Sequence, residues 1–297
     1  MFKKEILHIK SNPSMNGFNE IFHDVVYSSG NNFSLTMDII VPWHDINSIF
    51  PAPRLPLIIF VQGSGWTFPN VWYQMPQLCE FAKKGYVIAS ITHRNADNGF
   101  SYPSSLVDVK TAIKFLRQNA DKYYIDSEHI GLFGTSSGAN LSILAAMTCD
   151  DLSIYDCDSS VSYDTDFLKI SEKVNFVVSC FPTTDMVELY KAPNFDKGIK
   201  HIFDKLAYDD ANAHMDILKK MSPYYITNPD DEYPPMLIAH GTNDSLIPYS
   251  QSLKLYEKMI SQGHYAEMIA VDDAPHEGSF WSSEILEIIF KFIKANI

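Results

Sequence analysis

The sequence lacks the marks of a redox or metal-binding protein. It has four cysteines in 297 residues, and none of them shows CxxC or zinc-ribbon spacing. We therefore expect reduced, mostly packed thiols, with a Cys149–Cys157 disulfide as the alternative. No histidine pair has the HExxH spacing of a metal site, and the acid-rich residues 149–166 lack the glycine and glutamate positions of a calcium loop. We expect no metal, and a solvated loop at residues 149–166.

Basic charge and long apolar runs are also scarce. The 23 lysines and arginines face 36 aspartates and glutamates, and the resulting net charge of −13 repels polyanions. This balance predicts no nucleic-acid partner and favours a neutral or cationic substrate. No apolar stretch is long enough to span a membrane, and the N-terminal residues lack the apolar region of a signal peptide, so we expect a cytoplasmic protein without a membrane partner.

The apolar residues that are present follow an α/β pattern. "DVVYSSGNNFSLTMDIIVP" predicts a hairpin near the N-terminus. From Leu57 onward, short apolar runs alternate with segments of helical period, and the runs are "LIIFV", "VIASI", "IGLF", "NFVVSCF", "MLIAH" and "EMIAV". Continuous apolar strands separated by helices indicate a mostly parallel sheet with helices on both faces. At this length we expect one domain, residues 1–297.

Two helices and one insertion complete this predicted architecture. Four apolar residues spaced three or four apart predict a packing helix between the second and third runs: Leu106, Val109, Ile113 and Leu116. "SSEILEIIFKFIKANI" predicts an amphipathic helix at the C-terminus. A polar and helical insertion, about residues 183–232, separates the fourth and fifth parallel runs. Its length is typical of a functional cap.

The segment "HIGLFGTSSGANLSILAAM" predicts a catalytic serine. A strand enters Gly-Thr-Ser-Ser-Gly and a helix leaves it, which is the context that a nucleophile elbow requires. Gly134 and Gly138 lie two residues before and after Ser136, where the strained turn leaves no room for a Cβ atom. We predict that Ser136 is the nucleophile. Ser137 is the alternative nucleophile. Its position directly after Ser136 is better suited to donating its backbone N–H to an oxyanion.

A serine nucleophile needs an imidazole base that a carboxylate orients. "MLIAHGTNDSLIP" places Asp244 in a turn after one strand, and "MIAVDDAPHEGSF" places His276 in a loop after the next. Open α/β sheets have their sites at these carboxyl ends of strands. We predict Asp244 as the acid and His276 as the base.

Each of these assignments has rivals. Asp185 also follows a strand and is the alternative acid, whereas Asp272 and Asp273 have the position of turn residues. His240 lies within a strand and His264 at a helix end, so we interpret both as structural or solvated histidines.

Together these residues resemble the α/β-hydrolase superfamily, and more closely its carboxylesterases of the hormone-sensitive-lipase and BD-FAE-like type. The resemblance covers about residues 57–297. It is carried by "VQGSGW" near the position of the family's HGGGW loop, "GTSSGAN" at the elbow, "SPYYI" before the acid strand, "HGTNDSLIPYSQS" around the acid, and "APHEG" at the histidine.

The resemblance implies an oxyanion hole built from backbone N–H groups of Ser64, Gly65 and Ser137. Gln62 stands where the family has histidine, and it can brace the loop because an amide both donates and accepts hydrogen bonds. Ser64 stands in place of a glycine, and we expect it to narrow the pocket.

The implied reaction is two-step acyl transfer to water without a cofactor. Trp66 is the predicted substrate-binding residue. Other aromatic residues near the loop and in the insertion could line the same pocket, with packing in the core as the alternative role. These are Phe68, Trp72 and Tyr73 near the loop, and Tyr190, Phe203, Tyr208, Tyr224 and Tyr225 in the insertion. We expect short acyl groups, acetyl or similar, on sugar or phenolic alcohols, because the insertion lacks a long apolar run.

Two other functions fit parts of the pattern. A prolyl-oligopeptidase-like peptidase shares this catalytic domain but usually carries a large extra domain, and only about fifty residues precede the first parallel strand here. A catalytically silent binding protein of this fold has typically lost the histidine, which this sequence keeps as His276. The resemblance permits a monomer or a homodimer.

Overall fold

The described residues of this protein form a sheet of eight strands. The structure is a computed structural model that describes residues 6–12, 17–30, 32–43, 53–158, 160–207 and 211–297, without the side chains of residues 211 and 212. The strands are β1 (Asn19–Gly30), β2 (Phe33–Pro42), β3 (Leu55–Val61), β4 (Val87–Ile91), β5 (Ile125–Thr135), β6 (Phe176–Cys180), β7 (Met236–Gly241) and β8 (Ala266–Val271). Their order in the sheet is β1-β2-β4-β3-β5-β6-β7-β8.

The strand directions match the predicted α/β pattern. Strands β1, β2 and β4 pair antiparallel, and every pairing from β4 to β8 is parallel. The six apolar runs are β3 to β8, and the predicted hairpin is β1 and β2, although Asn31 of its turn lies outside the described residues. The mostly parallel sheet is therefore confirmed.

Helices cover both faces of the sheet. Residues of α1 and α11 pack on one face, and residues of α2, α3 and α10 pack on the other. The four apolar residues that predicted the first packing helix are fully buried on α2. The helices are α1 (Met75–Lys83), α2 (Ser104–Gln118), α3 (Ser136–Met147), α4 (Ser153–Asp156), α5 (Thr165–Leu168), α6 (Met186–Lys191), α7 (Lys197–Leu206), α8 (Ala211–Lys220), α9 (Pro223–Ile226), α10 (Ser250–Ser261) and α11 (Ser283–Ala295), with short 3₁₀ turns at Ala96–Asn98 and Gly278–Phe280.

The predicted insertion leaves the sheet after β6 and returns at β7. It contains the four helices α6 to α9, and Tyr208, one of its predicted aromatic residues, lies outside the described residues. The assignment of residues 1–297 to one domain stays a prediction. None of the described helices is long and apolar enough to cross a lipid bilayer.

Most of the described residues in the acid-rich segment 149–166 are exposed, as predicted, but the segment is not a simple solvated loop. It forms the short helices α4 and α5, and Asp158 is buried against Arg94, with 2.5 Å between carboxylate and guanidinium. The sequence prediction missed the burial of Asp158 because acidic composition does not reveal that the buried Arg94 requires a counter-ion. The four cysteines are free thiols, so the alternative Cys149–Cys157 disulfide does not form.

Glu172, which follows the acid-rich segment, is a second buried acid and pairs with two lysines. Its two oxygens lie 2.7 Å from Lys110 Nζ and 3.0 Å from Lys114 Nζ, and all three side chains are fully buried. The Tyr155 hydroxyl donates to the same carboxylate at 2.7 Å. One carboxylate thus neutralises two cations of α2 and ties the acid-rich segment to that helix.

We predict that Glu172→Gln lowers the free energy of unfolding by about 3 kcal/mol, because it leaves two buried ammonium groups without a counter-ion. The measurement is urea unfolding at pH 7. Asp166→Asn is the matched control, since its ion pair with Lys169 is exposed and should change stability by less than about 0.5 kcal/mol. Equal effects of the two substitutions would contradict the role of Glu172.

Candidate active site

The turn between β5 and α3 holds Ser136 in a strained conformation. Ser136 begins α3 with φ of 51°, a region that non-glycine residues rarely adopt. A Cβ atom at Gly138 would lie 2.0 Å from the Val61 carbonyl oxygen, and one at Gly134 would lie 2.4 Å from that of Gly138. Because both positions exclude a side chain, only glycine lets β5, α3 and β3 approach this closely.

The structure brings the three predicted catalytic side chains together. His276 Nε2 lies 2.9 Å from Ser136 Oγ, and His276 Nδ1 lies 2.6 Å from Asp244 Oδ2. Since Nδ1 faces a carboxylate, it carries the proton, and Nε2 is free to accept from the serine hydroxyl. The arrangement can transfer a proton from Ser136 to His276.

Asp244 is held by four N–H groups. Its Oδ1 accepts from the backbone N–H groups of Leu246 and Ile247 at 2.8 and 2.9 Å. Its Oδ2 accepts from His276 and also lies 3.0 Å from His240 Nε2. Burial alone would raise the pKa of Asp244, but the hydrogen bonds from His240 and His276 bring it well below its usual range. Asp244 is therefore a stable carboxylate.

The contact of His240 with Asp244 was missed from the sequence, which indicated only a structural or solvated histidine. His240 is fully buried, and its Nε2 faces both Asp244 Oδ2 and the Ile247 carbonyl oxygen at 2.9 Å. Neither partner can donate, so Nε2 carries a proton, while Nδ1 lies 2.6 Å from Ser252 Oγ. The sequence signal for this contact was the short spacing: His240 and Asp244 are four residues apart, on either side of the end of a strand.

The rival residues have other partners. Asp185 caps α6 and accepts from the Glu188 N–H at 2.8 Å. His264 Nε2 lies 3.0 Å from the Asn228 carbonyl oxygen. Asp273 lies in an exposed turn with φ of 57°. None of these three has a hydrogen bond to Ser136, His276 or Asp244 among the described residues.

The loop after β3 packs its backbone against the elbow. The Gly63 N–H donates to Thr135 Oγ1 at 2.8 Å, and the Ser64 N–H donates to Ser137 Oγ at 2.9 Å. The structure thus differs from the prediction for Ser64, whose N–H already has an acceptor. Gly65, with φ of 60°, has an N–H without an acceptor among the described residues.

The Ser137 N–H lies in the first turn of α3, where N–H groups have no intrahelical acceptor. Thr135 does not cap this turn with its side chain, because its hydroxyl accepts from the Gly63 N–H. Of the three predicted donors, the Ser64 N–H has an acceptor, whereas the N–H groups of Gly65 and Ser137 have none among the described residues and remain available to an oxyanion.

Gln62 is buried and braces this loop. Its Oε1 accepts a hydrogen bond of 2.5 Å from the Asn70 N–H, so the amide acts here as an acceptor. The Ser64 hydroxyl donates to the Thr67 carbonyl oxygen at 2.7 Å and does not line the pocket. The expected narrowing of the pocket by Ser64 is therefore not observed.

A cavity of about 230 Å³ opens beside Ser136. Trp66 lies in its wall, buried, and packs edge-to-face on Phe203 of α7 with 5.5 Å between ring centroids. The wall residues come from the oxyanion loop, the elbow, the insertion and the acid and histidine loops: Gln62, Gly63, Gly65, Trp66, Tyr73, Ser136, Thr183, Ile199, Leu246, Ile247, His276 and Glu277. Within the described part of the chain, no group of three or more His, Cys, Asp or Glu side chains could hold a metal ion.

Known proteins share this sequence pattern and this fold. The BD-FAE family matches residues 37–259. Esterase LipC of Mycobacterium tuberculosis is 29% identical over 210 residues, which are 70% of this chain and 49% of LipC. Esterase LipQ of the same organism is 28% identical over 234 residues, 77% of this chain and 50% of LipQ. The chain thus spans about half the length of these relatives.

Solved structures extend the comparison over nearly the whole chain. A truncated carbohydrate esterase from gut microbiota is 28% identical, with a TM-score of 0.75, and the match covers 96% of this chain and 99% of that one. A Thermogutta terrifontis esterase with bound propionate is 24% identical, with a TM-score of 0.71 over 95% and 96% of the two chains, and shows the fold alone. The resemblance predicted from the sequence is confirmed: the chain has the α/β-hydrolase fold and belongs to the BD-FAE family.

Proposed function

We propose that this protein is a serine carboxylesterase that hydrolyses short-acyl esters through an acyl-enzyme on Ser136. The hydrogen-bonded chain from Ser136 through His276 to Asp244, beside an open cavity, is the observation that carries the proposal. A serine hydroxyl becomes an effective nucleophile when a neutral imidazole accepts its proton.

In the first step Ser136 Oγ attacks the ester carbonyl, and its proton moves to His276 Nε2. The tetrahedral oxyanion is stabilised by the N–H groups of Gly65 and Ser137, which the fixed loop and the helix terminus hold in place. His276 then gives the proton to the leaving alcohol. A water molecule repeats the sequence on the acyl-enzyme and releases the acid. Asp244 stabilises the positive charge on His276 in both steps.

The cavity and the relatives support a small acyl group on a polar alcohol. A volume of about 230 Å³ fits a short acyl group together with part of an alcohol but leaves little room for a long chain. The relatives LipC and LipQ are named esterases, and one similar structure is named a carbohydrate esterase. We therefore favour esters of sugar hydroxyl groups as substrates. Trp66 lies in the part of the cavity wall that contacts the substrate.

The direct test is hydrolysis of p-nitrophenyl esters from acetate to octanoate. We expect the native chain to cleave acetate fastest, because longer chains exceed the cavity, and Ser136→Ala to lower kcat by at least about 10⁴-fold. Ser261→Ala, at an exposed serine, is the matched control and should keep native activity. Undiminished turnover by Ser136→Ala would refute the proposed nucleophile.

The hydrogen bond between Gln62 and Asn70 can be tested in the same assay. We expect Gln62→Ala to lower kcat about tenfold, because loss of the bond to Asn70 loosens the loop that carries the Gly65 N–H. The loss should be smaller than the roughly 10² to 10³ that removal of an oxyanion donor costs. Gln62→His, which restores the residue common in the family, should recover activity. Native kcat in the alanine variant would show that Gln62 does not brace the loop.

The contact of His240 with Asp244 predicts a change in the pH dependence of the reaction. His240 and His276 donate to the same oxygen of Asp244, so removal of the His240 N–H should strengthen the attraction of Asp244 for a proton on His276. Since catalysis requires neutral His276, we expect His240→Leu to move the acid limb of kcat/KM to higher pH by up to about one unit.

His240→Gln, which keeps an N–H donor, is the control for this shift and should move the acid limb less. The measurement is the pH dependence of kcat/KM for p-nitrophenyl acetate between pH 5 and 9. A uniform loss of activity with an unmoved acid limb would show that His240 has only a structural role.

A further inference from the structure

Three aromatic side chains project into solvent from one loop beside the cavity. Phe68, Trp72 and Tyr73 are 65%, 63% and 53% exposed. We call them the aromatic ridge. Large rings so exposed on neighbouring positions are unfavourable in water, and clusters of this kind mark binding surfaces. The mechanism proposed above does not use them.

The ridge is held in place by buried polar groups. The Trp72 indole N–H donates to Asp38 Oδ2 at 2.7 Å, and Asp38 is buried in β2. The Ser90 hydroxyl donates to the Val71 carbonyl oxygen at 3.0 Å. With the bond from Asn70 to Gln62, three successive residues of the loop are fixed. The Trp72 ring therefore presents its surface to solvent in a defined orientation. Because the ring is already fixed, little side-chain entropy is lost when a ligand binds to it.

The ridge is continuous with the proposed active site. Tyr73 and Glu277 line the cavity that contains Ser136, and the Tyr73 hydroxyl donates to Glu277 Oε2 at 3.0 Å. The Trp281 indole N–H approaches the same oxygen at 3.4 Å. Glu277 Oε1 has no partner among the described residues. A carboxylate oxygen is thus available where the ridge meets the cavity.

The exposed rings and the Glu277 carboxylate favour a neutral ligand that has both apolar faces and hydroxyl groups. No ring contact joins two of the three ridge residues, all of which are described, and each of them keeps more than half of its surface exposed to a ligand. The net charge of −13 disfavours anions. Sugar units present apolar C–H faces that cover aromatic rings, and hydroxyl groups that donate to carboxylates.

We propose that the aromatic ridge and Glu277 bind the neutral sugar chain that carries the scissile ester. A sugar unit covers the Trp72 ring, and a hydroxyl of the unit nearest the ester donates to Glu277 Oε1. This inference rests on the proposed esterase function, since it assigns the alcohol side of the same site.

The test compares kcat/KM for acetylated neutral oligosaccharides of about four units with kcat/KM for p-nitrophenyl acetate, which has no sugar. We expect Trp72→Ala to lower the ratio of the two values about tenfold, because the sugar loses its apolar contact. Trp72→Phe keeps a ring and should lower the ratio less. Trp43→Ala, directly after β2 and outside the cavity wall, is the matched control and should keep the native ratio.

The possible outcomes separate the two proposals. If the native chain hydrolyses neither substrate, the esterase function fails. If it hydrolyses both and the ratio in Trp72→Ala equals that in Trp43→Ala, the sugar subsite is refuted while the esterase function stands. A Trp72→Ala variant that loses hydrolysis of acetylcholine but keeps the native ratio would show a cation site instead, and would also overturn the proposal.

Discussion

The Asp244 carboxylate is the group on which the rest of the site depends. It is buried, yet the four N–H groups around it keep it charged. A fixed negative charge sets the tautomer of His276, and this tautomer leaves Nε2 facing the Ser136 hydroxyl. His240 belongs to the same unit, because it shares one oxygen of Asp244 with His276. The proposed chemistry therefore rests on a hydrogen-bond network wider than three residues.

The sheet places this network by bringing strand ends together. Ser136 follows β5, Asp244 follows β7 and His276 follows β8, so all three lie at the carboxyl edge of the parallel strands. Close packing at Gly138 brings the loop after β3 against the elbow. The same loop carries Gly65 and continues into Trp72, so one oxyanion donor and the proposed sugar subsite share one support.

The fold and the position of the proposed nucleophile were largely predictable from local sequence patterns. Parallel strands buried on both faces produce continuous apolar runs, and the elbow needs glycine at positions 134 and 138, so fold and nucleophile had strong signals. The bond between the Ser64 N–H and Ser137 Oγ was not predictable, because a hydrogen bond across 73 residues leaves no periodic trace. The buried Asp158 and the contact of His240 with Asp244 depend likewise on three-dimensional neighbours.

The central claim is that Ser136 alone is activated by this network. The most direct measurement is titration with an uncharged phosphonate ester that releases p-nitrophenolate, followed by mass spectrometry of the digested protein. We predict one equivalent of p-nitrophenolate per chain and the added phosphonyl mass on the peptide that contains Ser136. Labelling of a different residue, or no labelling of a chain that still hydrolyses p-nitrophenyl acetate, would contradict it.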